Sequence, residues 1–305
     1  MPPPNLTLKE CRDRFFGGLL PMLDCAFKCR TQLNAPFDVY KNCYGGAAGQ
    51  NLDLEFEVLR NALMRLRLLE KNTGTSVSVQ TGRRHPTLEF VWKKLNGNFL
   101  EEYTAEEQMK IARAFYHFKS RGRDAHLSPT KRVYIHSAGT PSKFSNGLEI
   151  MKLLLVDSLL RNPGFREAKI AGPAAPTSRR DTIVAYFSNP QALQQALDLI
   201  KGMPPPLFQP GVPHGVLPLD YIRPGVGGAD EPVAMMIDKK PVEVASYGLA
   251  LSDLVFRALT DANKGKANLQ SDELKRVFLW NLLLLMEKGG VDPKRPYLMQ
   301  QDFLA

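Results

Sequence analysis

The sequence predicts an α+β fold. A helical N-terminal region with a β-hairpin leads into a mixed or antiparallel sheet of about four strands with helices on one face. Three observations carry this. Residues 132–201 read in the order β-α-β-β-α, akin to part of a split βαβ unit. The first seventy residues place apolar side chains at helical spacing, and the stretch 75–94 alternates with a period of two.

Apolar positions at Leu6, Leu8, Phe15, Phe16, Leu19, Leu20, Leu23 and Phe27, broken by Gly17-Gly18 and Pro21, predict a helix pair or a kinked helix over 6–33. Asn51 or Asp53 can cap an amphipathic helix over 54–71 that turns Arg60, Arg65 and Arg67 outward. TSVSVQ (75–80) and TLEFVWKK (87–94), joined by TGRRHP, predict the hairpin. A helix is expected over 104–119, followed by a polar, basic linker at 120–132. The domain boundary falls there, separating a helical, candidate peptide- or partner-binding region (1–125) from an α+β domain (126–305).

In that domain RVYIH (132–136), REAKIAG (166–172) and RRDTIVAYF (179–187) read as strands, with a long helical run near 143–161. Asn189 and Pro190 start a helix that ends near Lys201. VLPLDYIRPGVGGADEP (216–232) reads as a Pro/Gly-rich loop, and two helices close the chain near 245–262 (Ser246 able to cap) and 270–287.

Hydrophobic content of 44% and charged content of 23% are those of a soluble globular protein. No apolar run approaches the roughly 20 residues of a membrane span. LWNLLLLM (279–286) is shorter and reads as a buried helix, so no membrane partner is expected. The N-terminus lacks the cationic segment and apolar stretch of a classical signal peptide, which predicts a cytoplasmic protein or one delivered by a secretion system that reads other signals. A net charge of +9 suits an anionic partner such as a phosphopeptide, nucleic acid or membrane surface without choosing among them, and equally suits plain solubility.

All four cysteines, Cys11, Cys25, Cys29 and Cys43, fall in the first 43 residues. Cys25 and Cys29 share a face if the segment is helical. A zinc site or a disulfide is one reading. The spacing is looser than CxxC and no histidine precedes His85, so buried free thiols are the favoured expectation, with no metal and no cofactor. His85, His117 and His126 show no metal-ligand spacing. Nucleotide, P-loop, HExxH and GxSxG motifs are absent, and GVGGAD (225–230) sits among prolines rather than at a strand-to-helix turn.

Side chains alternate along a strand, so Arg132, Tyr134 and His136 share one face opposite Val133 and Ile135, and Glu167 shares a face with Lys169. Such a face is costly to bury unless its groups are paired or hold a ligand; otherwise it stays in solvent. A strand lysine beside Arg179 and Arg180 points to an anionic substrate and an amine partly neutralised by like charge.

The segments R-V-Y (132–134), K-I-A-G-P (169–173), R-R-D-T-I-V-A-Y (179–186), R-P-G-V-G-G-A-D-E-P (223–232) and S-Y-G (246–248) occur in an order that resembles the HopA family. That family is named for a bacterial type III secretion effector and also supplies lyase components in the biosynthesis of modified peptides such as lanthipeptides. The likeness covers roughly residues 130–262. Some members resemble the OspF/SpvC phosphothreonine lyases, which implies β-elimination of phosphate from phosphoserine or phosphothreonine. On that reading Lys169 is the base, His136 or Tyr134 the acid, and Arg132 with Arg179 or Arg180 the phosphate clamp. Tyr221, Arg223, Asp230 and Glu231 either line the substrate cleft or pin a rigid loop.

Two other functions compete with the lyase. One is a non-catalytic, effector-like module that binds a host or partner protein, with a secretion chaperone as its expected companion, whereas the lyase is expected to act on a peptide phosphorylated by a partner kinase. The lesser one is nucleic-acid binding, because the 54–71 helix and a hairpin tipped by Arg83 and Arg84 resemble a winged helix.

Overall fold

The computed structural model describes residues 5–44, 55–82, 84–96, 103–120, 130–139, 143–176, 178–231, 235–237, 240–242, 247–264 and 270–297. The chain forms two compact units. One comprises Met1–Ala48, Pro213–Leu217 and Ala229–Ala305; the other comprises Gly49–Val212 and Pro218–Gly228.

A seven-stranded antiparallel sheet is the frame of the second unit. Its strands are β1 (Val77–Gln80), β2 (Phe115–Lys119), β3 (Lys131–Ile135), β4 (Phe165–Ala171), β5 (Ile183–Phe187), β6 (Leu217–Pro218) and β7 (Val226–Asp230). They run in the order β1-β2-β4-β5-β3-β7-β6, with β5 in the middle. One face is apolar: Val133, Ile135, Ala168, Ile170, Ala185 and Phe187 are all at most 1% exposed. The helix Phe144–Leu154 covers it, Gly147 lying against Ile170, and Pro190–Gly202 packs against β3 and β5. Asn189 caps that second helix through the Ala192 amide, and Pro190 occupies its first turn.

Three sequence expectations change. The second arm of the hairpin is a helix, Leu88–Leu95. The Thr87 hydroxyl accepts from the Phe90 amide, and Leu88 and Val91 are buried three residues apart, so helical spacing wins over the apparent alternation. Only the bridges Ser78↔Thr87 and Thr81↔Arg84 remain of the turn, Arg83 lying outside the described residues, and the winged-helix reading loses its second strand. The expected helix over 104–119 stops at Arg113 and gives way to β2. Ala114 is extended, and Phe115–Lys119 finds β1 on one side and β4 on the other. Finally, VGGAD is a strand, β7, beside β3; Gly225 is needed before it because φ is +83° and a Cβ would meet the Gln209 carbonyl at 2.0 Å. The sheet is therefore larger than four strands and draws on both sides of residue 125, because β2 completes the backbone hydrogen bonding of β4. Of the linker expected at 120–132, residues 121–129 lie outside the described residues, as does the Ser246 cap, and Lys131 and Arg132 belong to β3.

In the first unit, Leu8–Arg12, Gly17–Leu19 and Leu20–Lys28 follow the kinked pattern expected for 6–33. Tyr247–Asn263 and Ser271–Lys288 pack together, burying Leu279, Leu282, Leu283 and Met286 of the apolar run. Phe27 stacks on Phe278 at 6.1 Å, and Asp24 is bound by Lys275 at 2.7 Å and Arg12 at 3.1 Å. Among the described residues no helix is long and apolar enough to cross a membrane.

Candidate functional site

The face of the sheet opposite the helices is polar. Register places Arg132 against Tyr186, Tyr134 and Lys169 against Val184, Glu167 against Tyr186, and His117 against Lys169. Directly opposed residues share a face, so these side chains converge. A bulge between Phe165 and Glu167 makes this possible. It sends Phe165 into the core beside Phe187, 5.9 Å away, while Glu167 and Lys169 stay on the polar side.

Three cations lie on aromatic rings there. The Lys169 ammonium is 4.6 Å from the Phe115 ring centre and 5.4 Å from Tyr186. Arg179 lies 4.4 Å over the same Phe115 ring, and Arg132 lies 5.0 Å over Tyr186 and 5.8 Å over Tyr134. Each such contact contributes about 0.5–2 kcal/mol, more as water is excluded. The Arg132 guanidinium also donates to the Tyr134 hydroxyl at 3.0 Å. Arg132 is 3% and Tyr134 2% exposed, so this face is buried rather than open to solvent. Among the described residues Lys169 has no hydrogen-bond acceptor. Beside it, Glu167 meets His117 at 3.3 Å. Burial pushes the Glu167 carboxyl up, but the His117 hydrogen bond and the nearby charges more than offset this and hold it below the usual range.

A second cluster forms where β3 ends. Beyond Ile135 the regular alternation stops, and His136 leaves the company of Arg132 and Tyr134. Its Nδ1 lies 3.0 Å from the carbonyls of both Pro210 and Gly211, so the proton is assigned to Nδ1 and Nε2 is left as an acceptor. Lys143, just before the helix Phe144–Leu154, donates to that Nε2 at 2.5 Å and to the Arg179 carbonyl at 3.0 Å. Burial, then the Lys143 charge, lowers His136 to about 4; burial, then Arg180, lowers Lys143 to about 8. At neutral pH His136 is therefore uncharged and has no free proton to give, and an acid role for it would run through Lys143.

The arginine pair splits. Arg179 binds Asp181 at 2.6 Å and turns its guanidinium over Phe115, whereas Arg180 reaches the Val212 carbonyl at 3.4 Å beside Lys143. Of the loop residues, Arg223 donates to the Lys201 and Met203 carbonyls at 2.5 and 2.8 Å, closing the C-terminal end of the helix Pro190–Gly202. Tyr221 is exposed, Asp230 ends β7 fully buried with its amide on the Tyr297 carbonyl, and Glu231 is half-buried.

The fold and the order of these residues agree with a known family. The HopA1 effector protein family matches residues 106–298, which takes in β2 to β7 and both clusters. The chain belongs to that family. The HopA1-family chain is also similar in fold to two solved structures, the effector proteins from Pseudomonas syringae pv. tomato strain DC3000 and from Pseudomonas syringae pv. syringae strain 61. Each is 15% identical, with a TM-score of 0.54 over 92% of this chain and 96% of the effector. Comparison with curated proteins finds no match.

Sequence reasoning missed four members of the two clusters in this HopA1-family protein. Phe115 and His117 were hidden in a stretch read as helix, and Tyr186 drew no attention as an ordinary strand aromatic. Lys143 carried no signal, because its partners His136 and Arg179 lie 7 and 36 residues away.

Proposed function

We propose that this HopA1-family protein is a lyase that removes phosphate by β-elimination from phosphoserine or phosphothreonine in a peptide. The gathering of Arg132, Lys169 and Arg179 on one polar sheet face carries the reading. Lys169, acting as its neutral amine, takes the Cα proton, the electrons of the Cα–H bond become the Cα=Cβ bond, and the Cβ–O bond breaks with its pair leaving on phosphate. Arg132 is the phosphate clamp, since a guanidinium fork matches phosphate oxygens, and Arg179, its fork held by Asp181, adds positive charge beside it. Above the ester's second pKa of about 6 the phosphate already carries two charges, so its leaving oxygen must receive a proton as the Cβ–O bond breaks. Tyr134, hydrogen-bonded to Arg132, is the nearest donor. Delivery to a host cell, with a phosphoprotein there as substrate, accompanies the effector-family membership; a precursor peptide phosphorylated by a partner kinase is the biosynthetic counterpart.

The competing reading is a module that captures a phosphorylated partner without chemistry. It draws on the packing of Arg132 over the Tyr186 and Tyr134 rings, which holds the guanidinium rigid. Incubation with phosphothreonine peptides separates the two. A lyase releases phosphate and leaves a dehydro residue, lighter by a water than the product of a phosphatase. Binding of the same peptides with no mass change, at enzyme concentrations that saturate them, overturns the lyase and leaves the capture module.

A further inference from the structure

Outside the sheet unit, three of the four cysteines meet. Cys25 lies in the helix Leu20–Lys28, Cys29 follows one turn later, and Cys43 comes from the helical turn Tyr40–Tyr44. Their sulfurs are 2.8 Å (Cys25–Cys43), 3.7 Å (Cys29–Cys43) and 4.0 Å (Cys25–Cys29) apart. All three ligand atoms lie within 4.8 Å of one another, while Cys11 is buried elsewhere. Cys25 and Cys29 are partly exposed and Cys43 is 2% exposed.

We propose that Cys25, Cys29 and Cys43 form a three-thiolate site for one thiophilic divalent cation, Zn2+ fitting best. Zinc–thiolate bonds of about 2.3 Å in tetrahedral geometry set sulfurs about 3.7–3.8 Å apart. Two of the three separations already stand near that value, and the third opens by about 1 Å, a rotation of one side chain. Thiolates select zinc over the harder cations that oxygen ligands hold. The partial exposure of Cys25 and Cys29 gives the ion a way in and leaves the fourth position to solvent. Helix geometry supplies the pair Cys25/Cys29, and the return of the chain supplies the third ligand.

The test uses the full chain, purified with reductant and equilibrated with Zn2+ alone, then desalted for metal analysis; a parallel sample takes Co2+. One metal ion per chain and a thiolate-to-Co2+ charge-transfer band are expected. Cys29→Ser, at a part-exposed position, is expected to weaken Zn2+ binding at least about 100-fold. Cys11→Ala keeps one equivalent. Zinc held no better by the native chain than by Cys29→Ser, a Co2+ form without the charge-transfer band, or a Cys25–Cys43 disulfide that persists through the reductant each overturns the site. Should Cys29→Ser fail to fold, the Co2+ spectrum of the native chain decides alone.

Discussion

Lys169 and Lys143 sit in the same unit, yet their surroundings differ in kind. Lys169 rests on the faces of Phe115 and Tyr186, which attract its charge and leave its N–H groups free of described acceptors. Lys143 spends its donors on His136 and the Arg179 carbonyl, and burial with Arg180 lowers it to about 8. Arg179 links the two, its carbonyl bonded to Lys143 and its guanidinium over the ring beneath Lys169. A lysine's chemistry is set by what it faces. Lys169 has donors to offer an anion, and Lys143 belongs to a buried, pH-sensitive pair with His136.

Replacing each lysine in turn separates the two clusters most directly. Lys169→Met is expected to cut phosphate elimination from a phosphothreonine peptide by about 10²–10⁴-fold, the size of a lost general base, whereas Lys143→Met lowers it by less than about tenfold. Initial rates of phosphate release measure both; the opposite ranking would move the base to the second cluster. Arg132→Lys comes next, with a loss of about 10²-fold, because an ammonium supplies neither the planar fork nor the same stacking on Tyr186. Recovery of near-native rates in that variant would remove Arg132 from the phosphate clamp.

The second cluster is better probed through stability. His136 stands at about 4 in the folded chain against 6.5 when unfolded. Between those values the unfolded chain binds more protons, so the stability present above pH 6.5 is lost as pH falls toward 4. Thermal melts of His136→Asn are expected to show a shallower fall across that window than the native chain, and parallel slopes would disprove the assignment. The smallest effect belongs to Arg180→Gln. Removing this like charge raises Lys143 from about 8 toward its ordinary 10.5, slowing its acylation near pH 8. For Lys143 the sign is that charging costs stability below about 8, a cost relieved as pH rises through the interval to 10.5. An unchanged acylation profile would leave burial as its whole cause.

Much of the sheet was legible because β3 and β4 alternate and β5 is a short apolar run, so the segregation of Arg132 and Tyr134 from Val133 and Ile135, and the sharing of a face by Glu167 and Lys169, followed from sequence. The helix Leu88–Leu95 was hidden because Leu88, Phe90 and Trp92 alternate on paper, although Phe90 is 45% exposed and the buried pair is Leu88 with Val91. β2 was hidden because Ile111, Ala112, Phe115 and Tyr116 continue a helical period; what ends the helix is pairing with β1 and β4, information held elsewhere in the chain. β7 carries two glycines and an alanine, too little side chain to announce a strand.

The sequence by itself determined which residues share a face of one strand or one helical turn, Cys25 with Cys29 included, because those relations depend on a local period of 2 or 3.6. Tertiary structure alone decided which faces meet. The strand order puts Arg132 and Lys169 on either side of Tyr186 and parts Arg179 from Arg180. It also joins Lys143 to His136, while the return of the chain brings Cys43 to Cys25 across 18 residues. These meetings are long-range, fixed by backbone pairing and core packing, and no local pattern encodes them.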